Sequence, residues 1–142
     1  MNNALPIAVS SIFLVLGLWH FYMALVPSSG KGGAVPSVGG KPLFIPSAAA
    51  TVAVGVVLLS FAVLVAATSG ILWIGLPQFV LSWLSYALAL GLLMRAIGEF
   101  KYIGFFKRNR GSRFATLDTF VYSPLCLMLS AGVAKIAAQN GI

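Results

Sequence analysis

Residues 47–67 read SAAATVAVGVVLLSFAVLVAA, 21 consecutive positions without a charged side chain. As an α-helix rising 1.5 Å per residue, this stretch is about 30 Å long, which matches the hydrocarbon core of a bilayer. A helix also satisfies every backbone N–H and C=O within the segment, as lipid requires. Working outward, three more stretches are apolar over a similar length: Leu5–Val26, Pro77–Gly98 and Thr119–Ala138, the last two with one cation each, Arg95 and Lys135. The chain is therefore read as one transmembrane domain over residues 1–142, an all-α, integral-membrane four-helix bundle with no β-sheet and no soluble domain.

The composition agrees. Of 142 residues, 60% are hydrophobic and 8% charged, against about a quarter charged in soluble domains. So few charges cannot cover a water-exposed surface, and the apolar excess is expected to face lipid. The N-terminal apolar run, Ala4 to Val26, has no basic segment before it. It is read as a retained first span and not as a cleaved signal peptide.

Breakers fall between the spans. Pro27-Ser28-Ser29-Gly30 follows the first, Pro46 precedes the second and Thr68-Ser69-Gly70 closes it. Pro77 opens the third span, and Asp118 or Thr116 is placed to cap the fourth. Pro124, in the first turns of the fourth span, is positioned to kink it. The connection 27–46, rich in Gly, Pro and Ser, reads as an irregular loop. Its SSGKGG stretch at 28–33 lacks the spacing of a phosphate-binding loop. Ile71 to Ile74 is expected at the interface, with Trp73 at headgroup depth.

Nine Lys and Arg stand against two acids, for a net charge of +7. No nucleic-acid-binding motif accompanies them, so no nucleic acid partner is expected. The anionic partner at hand is the headgroup layer of membrane lipids. The lone cysteine, Cys126, forms no intrachain disulfide and belongs to no Cys/His metal spacing. No metal is expected, and the sequence leaves any cofactor unknown.

The cations are unevenly placed. Lys31, Lys41, Arg95, Lys101, Lys107, Arg108, Arg110 and Arg113 belong to the side holding the first and third connections, and Lys135 alone to the other. By the positive-inside bias those connections are expected in the cytoplasm and both termini outside it.

The centres of the spans carry no carboxylate, which argues against a proton-coupled carrier. The ionisable groups gather instead near the ends of the spans. His20 lies about two turns before the first span ends. Arg95 and Glu99 are four residues apart on one helix face if the third helix continues. Asp118 opens the fourth span. These four are expected at one depth, with Tyr22, Tyr102 and Tyr122 close by, as candidate ligand-binding groups. An Ala87–Gly91–Arg95 stripe of small residues is expected to turn Arg95 inward. Between 100 and 114, FKYIGFFKRNRGSRF interleaves five basic residues with five aromatics. Within the basic aromatic loop 99–117, Lys101, Lys107, Arg108, Arg110 and Arg113 are assigned to lipid headgroups, with the rings at the interface.

The strings HFYMAL at 20–25, KPLFIP at 41–46 and, most specifically, RAIGEFKYIGFFKRNRGSRFATLDTFVYSPLCL at 95–127 resemble the bacterial domain-of-unknown-function family 3995. In that family the histidine motif carries Trp where this chain has Met23. The resemblance spans nearly the whole chain. It implies a small four-span bacterial membrane protein and no particular activity.

Two functions follow as expectations. The first is non-catalytic binding of a lipid, an apolar ligand or a membrane-protein partner, including a second copy of the chain. The second is a membrane enzyme acting on a lipid-like substrate, with His20, Glu99 or Asp118 exchanging protons and Arg95 holding an oxygen-bearing group. The orientation is testable. Ser37→Cys and Ser112→Cys in a Cys126→Ala background should resist a membrane-impermeant thiol reagent in intact cells and react after lysis. Ready labelling of intact cells would mean the reverse orientation.

Overall fold

The computed structural model describes residues 3–26 and 34–141. The SSGKGG stretch, Lys31 and the stop at Pro27–Gly30 lie outside the described residues. Four helices dominate: α1 (Ala4–Leu25), α2 (Ala48–Thr68), α3 (Gln78–Ile97) and α4 (Arg113–Asn140). All four are long and apolar enough to cross a membrane. α1 packs along α2 and α3 along α4, and the two pairs meet through α2–α3, α1–α4 and α2–α4 contacts.

The core between the pairs is apolar, built from Val9, Phe13, Ala62, Val65, Leu88, Ala89, Leu129, Val133 and Ile136. Phe13 meets Phe61 edge to face with ring centroids 5.7 Å apart. The outer faces are equally apolar: Val15, Trp83, Phe120 and Met128 are exposed. A bundle greasy inside and out belongs in lipid, where the outer face costs nothing. Several of its polar groups pair internally. Ser130 donates to the Ala89 carbonyl at 2.7 Å, Thr68 and Ser85 share a hydroxyl contact of 2.8 Å, and Gln78 donates to the Thr68 carbonyl at 2.8 Å. Trp73, in the α2–α3 connection, is 88% exposed.

The structure corrects several expectations. The first connection is not wholly irregular. Ser37–Val38 (β1) pairs antiparallel with Lys41–Pro42 (β2). The two-residue turn between them, Gly39-Gly40, has φ of 59° and 76°, the positive values that a tight hairpin needs and that glycine supplies without strain. The fourth helix begins at Arg113, so neither Asp118 nor Thr116 caps it. Ser112 does, accepting from the Ala115 N–H at 3.1 Å. The helix then widens into a π-turn over Asp118–Tyr122, where Ser123 N–H reaches back to the Asp118 carbonyl. Pro124 explains the widening. It has no N–H to donate, and its ring would press on the carbonyl four residues back in a regular helix.

The small-residue stripe on α3 is also corrected. Ala87 and Gly91 are exposed, and α3 buries Leu81, Ser82, Ser85, Leu88, Ala89 and Ala96 instead. The close helix approach is between α1 and α2. A Cβ at Gly55 would stand 2.9 Å from the Phe21 ring and 3.1 Å from the Gly17 carbonyl oxygen, whereas one at Gly91 would meet nothing within 4 Å. Gly55→Val should therefore lower the thermal stability of the detergent-solubilised protein, at a cost of about 1–3 kcal/mol from overpacking. Gly91→Ala should leave it unchanged or slightly raised. Equal melting temperatures for both variants would show that this crossing does not hold the pair together.

Candidate functional site

The polar centre forms where the third connection folds back against α3 and α4. Gly98 ends α3 with φ of 85°, and Gly104, with φ of 90°, crosses over it. A Cβ on either glycine would collide with the other strand's backbone: the Ile103 carbonyl in one case, the Ile97 carbonyl and Gly98 Cα in the other. Two glycines are thus needed for the chain to cross itself here. Backbone bonds hold the crossing. Phe105 N–H donates to the Ala96 carbonyl at 2.9 Å, Arg108 N–H to Phe100 at 3.1 Å and Asn109 N–H to Lys101 at 3.0 Å. The third connection is an ordered structure that ends at Ser112.

The crossing brings Gly104 and Lys107 onto Asp118. The Asp118 carboxylate is fully buried; its Oδ1 accepts from Arg95 Nη2 at 2.7 Å. Its Oδ2 accepts from the Gly104 N–H at 2.6 Å and from Lys107 Nζ at 3.0 Å. Lys107 is buried as completely. Its remaining two protons go to the Gly104 carbonyl at 2.9 Å and to Thr119 Oγ1 at 2.6 Å. Thr119 passes its own proton to the Ala115 carbonyl at 3.0 Å. Every polar atom of the Lys107–Asp118 pair is therefore engaged, the condition under which a buried ion pair can offset its desolvation.

Arg95 completes the centre only in part. Its side chain is 33% exposed, and its buried Nη1 has no hydrogen-bond partner. With Arg95 and Lys107 against Asp118, the trio carries one positive charge in excess. The Ser123 hydroxyl, buried in the turn after the π-segment, is also unpartnered.

The residues singled out from sequence separate. Arg95 and Asp118 come together. Glu99 does not join them: α3 ends at Ile97, and Glu99 sits exposed past the Gly98 turn, off the helix face that would have aligned it. His20 hydrogen-bonds through Nδ1 to the Leu16 carbonyl at 2.7 Å and lines a different hollow. Tyr22 is exposed and stacks on Trp19, with centroids 5.4 Å apart. Tyr122 packs its ring against Phe114 at 5.9 Å. Lys107, expected at lipid headgroups, is withdrawn from solvent by Asp118. Lys101, Arg108, Arg110 and Arg113 stay exposed, as do Phe100 and Phe106. Arg110 also braces the loop, donating to the Lys107 and Phe105 carbonyls, both at 3.2 Å.

Gly104, Lys107 and Thr119 are the members of the centre that sequence reasoning did not place there. Lys107 looked like one cation among five in an interfacial loop. Only the glycine crossing selects it. Lys107→Met should cost about 3–5 kcal/mol, because it leaves part of a buried carboxylate unpaired. Arg108→Met, its exposed neighbour, should cost little. Melting of both variants in detergent checks this, and similar losses for the two would refute the buried pair. Lys107→Met with Asp118→Leu should recover much of the loss, since the buried carboxylate left without its partner is then removed as well.

The sequence pattern of a family described as "Protein of unknown function (DUF3995)" matches residues 13–133. No curated protein and no solved structure matches the chain. The matched span includes most of α1, all of α2 and α3, the glycine crossing, and Arg95, Lys107 and Asp118. The chain belongs to the DUF3995 family.

Proposed function

We propose that this membrane protein is a non-catalytic binder of anionic phospholipid, with its ordered third connection set at the headgroup layer of the inner membrane's cytoplasmic leaflet and both termini on the opposite side. One observation carries this reading. The buried acid of the region, Asp118, is fully taken up by Arg95, Lys107 and Gly104. Lys101, Arg108, Arg110 and Arg113 are left exposed, with Glu99 as the one acid beside them. Exposed Phe100 and Phe106 rings, 6.3 Å apart, stand among these cations. Cations beside aromatic rings on a rigid loop suit a surface where phosphates lie above hydrocarbon.

The same geometry weighs against the enzyme alternative. A carboxylate holding three donors is poorly placed to exchange protons, and His20 and Glu99 are not assembled around it.

Reconstitution of the full chain into nanodiscs of mixed phosphatidylglycerol and phosphatidylcholine, followed by native mass spectrometry, tests the proposal. The retained lipid should be enriched in phosphatidylglycerol. Each exposed cation contributes about 1 kcal/mol on an anionic surface. Lys101→Gln with Arg108→Gln should then weaken phosphatidylglycerol retention by about thirtyfold. Retention that mirrors the bulk lipid composition in the unmodified protein would overturn the reading.

A further inference from the structure

Two hollows open on the same end of the bundle, and Val35, itself buried, stands in the wall of both. The first, about 430 Å³, lies between the β1–β2 hairpin and the start of α4. The second, about 480 Å³, lies between the end of α1 and the start of α2. Each falls in the size range of small-ligand sites, about 300–1,000 Å³. Their chemistries differ in a way that describes one molecule.

The first hollow is a collection of donors. Arg113, Asn109, Ser112 and Ser37 line it, together with the backbone of Gly39 and Gly40. The Arg113 guanidinium and the Asn109 amide are exposed and neither forms an ion pair or side-chain bond among the described residues. Ser112 Oγ accepts from Ala115 N–H, so its hydroxyl proton remains to be given. No acid lines the hollow. It thus offers one cation and several neutral polar groups to a ligand carrying oxygens.

The second hollow is mainly apolar, lined by Met23, Ala24, Phe44, Pro46 and Val54 among others. Its two polar side chains each make one local bond: His20 Nδ1 donates to the Leu16 carbonyl at 2.7 Å, which leaves Nε2 as an acceptor, and Thr51 donates to the Ser47 carbonyl at 3.0 Å. Apart from His20 Nε2, no side-chain group there needs a polar ligand, and hydrocarbon suits the rest of the space.

We propose that the two hollows form a single lipid site, which takes an anionic, hydroxyl-bearing glycerophospholipid with its phosphate at Arg113 and an acyl chain in the hollow beside Ala24 and Val54. Arg113 meets the phosphate oxygens as a fork, and Asn109, Ser37 and Ser112 meet the headgroup hydroxyls. A headgroup with its own ammonium is disfavoured, because it would stand beside Arg113 with no acid to receive it. This site rests on the anionic-lipid reading above and adds an address to it, on residues distinct from Lys101 and Arg108.

The test uses the full chain in detergent, titrated with dioleoyl phosphatidylglycerol, dioleoyl phosphatidylethanolamine and soluble glycerol 3-phosphate, with bound fractions read by native mass spectrometry. Phosphatidylglycerol should bind best, and glycerol 3-phosphate at least about a hundredfold more weakly, for want of the buried chain. Arg113→Gln should lower phosphatidylglycerol affinity about tenfold. Ala24→Phe, which fills the apolar hollow, should lower it similarly. Val54→Phe, on the exposed side of α2, repeats that test without touching the α1–α2 crossing, and unchanged helix content and melting certify each variant. Glycerol 3-phosphate binding as tightly as the lipid would overturn the two-hollow site in favour of a free-phosphate site. Loss with Arg113→Gln but not with either plug would overturn the chain's place in it. If all three variants bind as the parent does while Lys101→Gln with Arg108→Gln does not, the site is refuted and the anionic-lipid reading stands. If the parent shows no preference among the lipids, both fall.

Discussion

A carboxylate buried at the end of the bundle organises everything on that side. Asp118 sits where water does not reach, and an unpaired charge there is prohibitively costly. Three donors remove the cost, and they come from two parts of the chain: Arg95 from α3, Gly104 and Lys107 from the third connection. Satisfying one acid therefore fixes the loop to two helices. The requirement reaches further back, because Gly104 approaches Asp118 only if the chain can cross itself at Gly98, and that crossing has no room for a side chain on either residue.

This latch sorts the basic residues into two kinds. Lys107 is spent on structure, and Arg95 mostly so. Lys101, Arg108 and Arg113 are free to act outward, with Arg110 split between bracing carbonyls and facing solvent. The sorting gives the charge of the loop a shape. A flexible basic segment would offer anionic lipid only its net charge, whereas a fixed one places Arg113 beside the β1–β2 hairpin and next to a polar hollow.

The rest of the bundle needs less. Its helices pack through aliphatic side chains and a close Gly17–Gly55 approach, and its outer face is as apolar as its core. In lipid the packing energy comes from contact and from small residues that let backbones approach, with no gain from hiding the outer face. The latch acts at one end only, where Arg95 and Asp118 tie α3 to α4.

How far the sequence alone reached follows from which interactions are local. An uncharged run of bilayer length is visible in one dimension, so the four spans, the membrane class and the family resemblance were legible from residues such as Ser47–Ala67. Helix starts were less so. Asp118 looks like a cap, yet Ser112 takes that role because Pro124 forces a π-turn and lets the helix begin earlier. A Gly-Gly hairpin signal was present at Gly39-Gly40 and was hidden by the surrounding Gly, Pro and Ser. The site divided along the same line. Arg95 and Asp118 stood out as ionisable residues in an apolar chain. That Lys107 would be the one cation withdrawn, that Glu99 would turn away past Gly98, and that Ser37 and Asn109 would face one hollow with Arg113 were decided by tertiary structure, because a buried charge takes its partners from whatever the fold brings within about 3 Å, and sequence spacing does not encode that distance across a loop that crosses itself.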